Sequence, residues 1–299
     1  MTDTALPRPG SLKAWLLASR PKTLAAAAIP VLVGTAVALA HGAFAWLPAL
    51  VAFLCAALIQ IGTNFANDYF DHQSGADNED RLGPTRVTQA GLIEPNSVKW
   101  ATGITFLIAF VLGLYLVWVG GWPILAVGIA SIISGVAYTG GPYPLGYNGL
   151  GDLFVFIFFG LVAVGGTYYV QALQLAPEAL VAAIPVGLLS TAIIVVNNYR
   201  DLDTDRDAGK KTLAVRIGPS TTRIQYAVLL LASYAVPIAQ WLIGDHGWTI
   251  LLPLLTLPLA ALRIADMYRL QGSPLNALLA NTAKLLTLFG FLYAIGFIL

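Results

Sequence analysis

Acidic residues are scarce in this sequence and unevenly placed. Nine of the fifteen Asp and Glu side chains fall in two short stretches, Asp68 to Asp80 and Asp201 to Asp207, each directly after a long apolar run. The two stretches share a plan. The first reads Asn64–Phe65–Ala66–Asn67–Asp68–Tyr69–Phe70–Asp71, and the second reads Asn197–Asn198–Tyr199–Arg200–Asp201 followed by Asp205. On a helix continued through these motifs, Asn67 and Asp71 stand four apart on one face, as do Asn197, Asp201 and Asp205. Like charges at that spacing repel unless a cation lies between them. Carboxylate and amide oxygens, with His72 the lone imidazole nearby, suit the hard cation Mg²⁺ better than zinc or copper.

Mg²⁺ is usually held by one or two carboxylates together with substrate phosphate oxygens, not by a complete protein cage. Two facing half-sites therefore predict a bridging ligand rich in phosphate. Basic residues are interleaved with the acids: Arg81 and Arg86 in one loop, and Arg200, Arg206, Lys210 and Lys211 in the other. They supply donors for a diphosphate clamp. Cations placed there stabilise the charge of a departing diphosphate as an allylic carbon–oxygen bond ionises. One acidic loop alone would ordinarily be a solvated face, but two loops with matched Asn and Asp spacing argue for a site. The stretch Tyr138 to Asp152, rich in Gly, Pro and Tyr, has two readings: a plain turn, or a wall of an aromatic acceptor pocket.

The elements that must position these motifs are apolar helices. Of 299 residues 58% are hydrophobic and 10% charged, against roughly 25% charged in soluble domains, and mean hydropathy is +0.76. The reading is a single polytopic all-α membrane domain over 1–299, with a polar cytoplasmic N-terminus at 1–20. Spans need about 20 apolar residues, and nine are predicted: 23–40, 46–66, 98–118, 121–139, 151–171, 179–199, 223–243, 248–264 and 279–298. The likeness of the two acidic motifs suggests an internal helical repeat. A net charge of +1 gives no field to attract nucleic acid, and no obligatory protein partner is evident. Cys55, the single cysteine, lies in an apolar run as packing.

Loop charge gives orientation. With nine spans, all sixteen Lys and Arg residues fall on one side of the bilayer, the side that the positive-inside rule makes cytoplasmic. Both acidic motifs fall on that side too. The N-terminus is then cytoplasmic and the C-terminus outside, and Trp46, Trp118, Trp122, Trp241 and Trp248 mark the outer interface.

The motifs NFANDYFD, DRLGPTRVTQAG, YTGGPYPLGYNGLGD and NNYRDLDTDRDAGKKTLAVRIG resemble those of the UbiA-type intramembrane prenyltransferases. Within that family the likeness is to members that prenylate 1,4-dihydroxy-2-naphthoate in menaquinone biosynthesis, and it runs from Arg20 to the last helix. The resemblance implies about nine transmembrane helices around a central cavity open to the lipid bilayer, in a bacterial cytoplasmic (inner) membrane. It implies Mg²⁺ as cofactor, and a polyprenyl diphosphate and the naphthoate as substrates. By position it implies Asn67, Asp68, Asp71, Asp77, Asp201 and Asp205 at the metal, with Asn67, Asp71 and Asp201 catalytic. Asp203 and Asp207 fall off that face. Many members place an acid where this chain has Gly75, and a cation in the loop that here reads Pro142 to Tyr147 without charge. Diphosphate contacts are therefore assigned to Arg20, Lys22, Arg81, Arg86 and Lys210, and acceptor contacts to Tyr138, Tyr143 and Asn197. Other readings keep the fold and change the acceptor to homogentisate or 4-hydroxybenzoate or the donor to phytyl diphosphate, or make the chain a cation transporter. Acids at helix ends, not at the bilayer midplane, count against the transporter.

Overall fold

A computed structural model describes residues 6–75, 82–244 and 246–299, with only the backbone of Lys22. The described chain is helical. A short helix α1 (Leu12–Ser19) and a 3-10 turn at Pro21–Thr23 lead into α2 (Ala25–Ala40), α3 (Trp46–Gln73), α4 (Pro95–Gly120) and α5 (Trp122–Ala137). Next comes one span built of three pieces: α6 (Gly151–Val155), a π-helical stretch at Phe156–Val162, and α7 (Ala163–Ala172). The second half contains α8 (Pro177–Arg200), the short α9 (Leu202–Asp207), α10 (Leu213–Ile243), a 3-10 stretch Trp248–Thr256 running into α11 (Leu257–Arg269), and α12 (Leu275–Ile298).

Every predicted span has an apolar helix at its place, but they are not equal. Among the described residues seven helices are long and apolar enough to cross a membrane, while α2 and α5 have 16 residues each. At 1.5 Å per residue they reach about 24 Å, short of a core about 30 Å thick. By length alone, then, seven crossings stand where nine are predicted. Several helices run past their predicted bounds, α3 and α10 furthest. α3 continues to Gln73 through its polar motif. α10 begins at Leu213, where Thr212 caps it, and bends at Gly218, whose φ of 76° is left-handed.

Amphipathic logic is inverted here, since the outer surface faces lipid. α8 is the central helix: Ala182, Ala183, Val186, Leu189, Ala192 and Val196 are fully buried. It packs with α2, α7, α10 and α12 into the main core, which also takes in Tyr226, Leu286 and Phe289. α4 instead exposes Ile104, Leu107, Val111 and Leu114. Backbones approach closely where the π-helical stretch crosses α8. A Cβ on Gly160 would lie 2.9 Å from the Cα of Gly187, and one on Gly187 would lie 3.0 Å from the carbonyl oxygen of Phe156. Glycine is required at both positions.

A second, smaller core fixes the end where the acidic motifs lie. Ala14 and Ala18 of α1 pack with Phe65 of α3 and with Val87, Leu92 and Ile93 of the following loop, and Trp15 meets Phe65 edge-on at 5.7 Å. At the opposite end His41 Nε2 and His246 Nε2 contact the two oxygens of Glu178 at 2.5 and 3.1 Å, joining the end of α2 to the start of α8.

Candidate active site

The C-terminal ends of α3 and α8 meet across a cavity of about 420 Å³. Its mouth is polar, lined by Arg20, Asn67, Asp71, Arg86, Tyr147, Asn197, Asp201, Asp205 and Lys210. Below the mouth the walls are apolar, with large side chains such as Phe110, Leu114 and Phe158 interspersed with small ones, Ala52 and Ala56 of α3, Gly113 of α4, Gly128 of α5 and Gly166 of α7.

Lys210 brings the two motifs together. Its Nζ lies 3.5 Å from Asp71 Oδ1 and 3.5 Å from Asp205 Oδ1, and it sits 4.5 Å from the ring centre of Tyr147. Asp71, buried at 3% exposure, also takes Arg86 Nη2 at 2.5 Å and the Tyr147 hydroxyl. Asn67 accepts from Thr139 Oγ1 at 2.8 Å. On the other side Arg200 donates to both oxygens of Asp201, at 2.8 and 2.5 Å. Burial pushes the Asp205 carboxyl up to about 6, against the opposing pull of Lys210. Burial wins because a carboxylate loses more by leaving water than one partner returns.

Arg20 reaches the cavity on a left-handed backbone, with φ 50° and ψ 67°. For a residue with a Cβ this conformation costs on the order of 1–2 kcal/mol. The turn is held by Thr23, whose backbone N–H and hydroxyl both donate to the Arg20 carbonyl at 2.9 Å. Just inside, Asn64 Nδ2 donates to Ser19 O at 3.0 Å and to Thr23 Oγ1 at 3.2 Å, and so ties α3 to that turn.

The structure does not bring every expected residue to the cavity. Asp68 is turned away from it and accepts the backbone N–H groups of Val87 and Thr88 at 3.2 and 3.0 Å. It therefore anchors the loop that carries Arg86, while its neighbours Asn67 and Asp71 line the cavity. Asp68→Ala should destabilise the protein by about 1.5–3 kcal/mol, the worth of hydrogen bonds to a charged group, while the Mg²⁺ concentration for half-maximal activity stays close to wild type. Thermal unfolding and a Mg²⁺ titration on the same preparation check this. Tyr138 lines the cavity, but Tyr143 is 56% exposed and lies outside it. The tyrosine of that loop that reaches the acids is Tyr147, which the sequence reading did not single out, because an irregular loop has no period from which to read direction. Asp203 and Asp207 are exposed. Asp77 and Arg81 lie outside the described residues, as does the side chain of Lys22.

The donor set fits Mg²⁺. Asn67, Asp71, Asp201 and Asp205 offer oxygen donors alone around one cavity mouth, and hard cations prefer oxygen. Among the described residues no three carboxylate, imidazole or thiol groups converge into a complete cage.

A charged mouth over an apolar cavity, set in an integral multi-pass helical bundle, suits a ligand with an anionic head and an apolar tail and places the chain among intramembrane proteins with a buried site. The model of the UbiA prenyltransferase family matches residues 27–295, and the chain belongs to that family. It is 38% identical to the 1,4-dihydroxy-2-naphthoate octaprenyltransferase of Escherichia coli strain K12, with 100% of this chain and 98% of that one aligned. It is 43% identical to the protein of the same name in Mycobacterium tuberculosis, over 74% of this chain and 75% of that one. The fold is similar to a UbiA homolog from Archaeoglobus fulgidus bound to GPP and Mg²⁺, with a TM-score of 0.60, 13% identity, and 94% and 100% of the two chains covered.

Proposed function

We propose that this protein transfers a polyprenyl chain from its diphosphate to 1,4-dihydroxy-2-naphthoate, with loss of CO₂ and diphosphate, to give demethylmenaquinol for menaquinone biosynthesis. The observation that carries the reading is the reach of Lys210 to both Asp71 and Asp205 at the mouth of an apolar cavity. The charged head of the donor then lies at the rim among Arg20, Arg86 and Lys210, and its tail lies below against Ala52, Ala56, Gly113 and Gly166. The relatives named for octaprenyl transfer to this naphthoate, aligned over most of the chain, support the choice of acceptor. Mg²⁺, when bound, neutralises diphosphate oxygens and so makes diphosphate a better leaving group.

Asn67, Asp71, Asp201 and Asp205 hold that cation, while the guanidinium groups of Arg20 and Arg86 orient the phosphates. The allylic carbon–oxygen bond breaks with its electron pair going to diphosphate. Apolar walls keep water from the resulting cation. The electron-rich ring attacks through the carbon that bears the carboxylate, the new carbon–carbon bond forms, and CO₂ leaves with its bonding pair returned to the ring. Tyr138 and Asn197, both on the cavity wall, are placed to bind the acceptor. The Lys and Arg distribution supports a site on the cytoplasmic face of a bacterial cytoplasmic membrane, with the N-terminus inside and the C-terminus outside.

The test is an assay of the protein in bilayers with octaprenyl diphosphate, with dihydroxynaphthoate, homogentisate and 4-hydroxybenzoate competing as acceptors. The expected result is a demethylated naphthoquinol product formed only with Mg²⁺ and abolished by EDTA. Preference for either other acceptor overturns the substrate assignment, and turnover that survives EDTA overturns the metal.

A further inference from the structure

Arg200 is the last residue of α8, and its Nη2 has no exposed surface, yet it does not line the cavity. A buried cation is costly unless its partners are well placed, and here all of them belong to the site or to its supports. Nε and Nη2 fork onto the two oxygens of Asp201. Nη2 also donates to Asn197 Oδ1 at 2.9 Å, and Nη1 donates to Asn276 Oδ1 at 2.7 Å. Asn276 lies in the first turn of α12, and its Nδ2 donates to the carbonyl oxygen of Leu82 at 2.8 Å. One guanidinium therefore links Asn197 and Asp201 of the second motif to α12, and through α12 to the loop that follows the first motif.

The helix cannot orient Asp201 by itself. Asp201 sits at the break between α8 and α9, with φ −95° and ψ 11°, where side-chain direction is not set by helical regularity. A planar fork supplies the missing constraint, because it fixes the plane of the carboxylate as well as its position. Lysine, a point charge on a flexible stem, would hold the charge and release the plane.

We propose that Arg200 is a positioning residue. It presets the Asp201 carboxylate for the cation, fixes the Asn197 amide beside it and, through Asn276, registers the half-site at the end of α8 against the loop after α3. The proposal rests on the Mg²⁺–diphosphate reading above. Loss of a partner that orients a metal ligand typically weakens metal affinity by about 10- to 100-fold.

The experiment measures Mn²⁺ binding by electron paramagnetic resonance, with inorganic pyrophosphate as the second ligand, on bilayer-reconstituted wild type, Arg200→Lys and Asn276→Ala. Mg²⁺ titrations of turnover accompany it. Arg200→Lys should weaken Mn²⁺ binding by about 10- to 100-fold, with turnover largely recovered at high Mg²⁺. Asn276→Ala keeps the fork on Asp201 and should lose several-fold in affinity, so it decides the matter if Arg200→Lys does not fold. Unchanged Mn²⁺ affinity in a folded variant, or a loss of turnover that added Mg²⁺ does not restore, overturns the proposal and leaves the metal reading intact. Wild-type protein that fails to bind Mn²⁺ with pyrophosphate removes the metal reading, and the proposal with it.

Discussion

Asp71→Asn should lower prenyl transfer by about 10²- to 10³-fold, the usual cost of removing one preorganised electrostatic group from an active site, and should raise the Mg²⁺ needed for half-maximal rate. Asp71 is where the charges of the mouth converge: Arg86, Lys210 and Tyr147 all reach it. The amide keeps the shape and an oxygen for Tyr147 but lacks the charge that a cation needs. Asp71→Ala should do more harm, because Arg86, 6% exposed, would lose from its buried ion pair the acceptor oxygen as well as the counter-charge. Such losses cost about 3–5 kcal/mol, so the alanine variant confounds chemistry with folding, whereas the asparagine variant separates them. Turnover against Mg²⁺ concentration, with a melting curve for each variant, is the measurement. An asparagine variant with wild-type turnover and an unmoved Mg²⁺ midpoint would remove Asp71 from the mechanism.

Gly166→Leu should leave transfer from geranyl diphosphate nearly intact while cutting kcat/KM for octaprenyl diphosphate by about 10²-fold. Gly166 lies fourteen residues beyond Asp152 in the same span, about 21 Å along the helix. A Cβ there meets nothing within 4 Å, and the position lines the cavity. A leucine would therefore fill space that the far part of a long tail needs, while a geranyl chain ends above it. Displacing about four methylenes from apolar contact, at about 0.8 kcal/mol each, accounts for about 3 kcal/mol, or about two decades of rate. Gly103→Leu is the control: it too meets nothing within 4 Å, but it faces outward and does not line the cavity. Equal losses for short and long donors in Gly166→Leu would show that the tail does not run down this wall.

How much of this was legible in the sequence varied with distance along the chain. The helices announce themselves through apolar runs, because a spanning segment must satisfy its own backbone and present apolar side chains to lipid. Their ends are less visible: hydropathy falls after Ala66, yet α3 continues to Gln73, since the polar motif is itself helical. Helical spacing placed Asn67 and Asp71 on one face, and both line the cavity. Asp68, one residue on from Asn67, is rotated by about 100° and finds loop amides instead. The choice between Tyr143 and Tyr147 could not be made from pattern. Nor could the link from Arg200 to Asn276, which joins positions 76 residues apart through tertiary contact alone.

The π-helical stretch at Phe156–Val162 bears on how this protein can change over evolution. A π turn carries one residue more than an α turn would, so it advances the phase of everything after it by about 100°. Phe154 before the stretch, Phe158 within it and Gly166, Thr167 and Val170 after it all share the cavity wall because of that shift in phase. If the same residues relaxed to uniform α-helix without losing one, Gly166 would swing by about 100° off the wall; deleting a single residue between Phe156 and Val162 lets the span become α-helical and leaves Gly166 facing the cavity. The segment should therefore tolerate the loss of one residue, and the direction in which the later residues face the cavity, more than the residue count, is what selection preserves there.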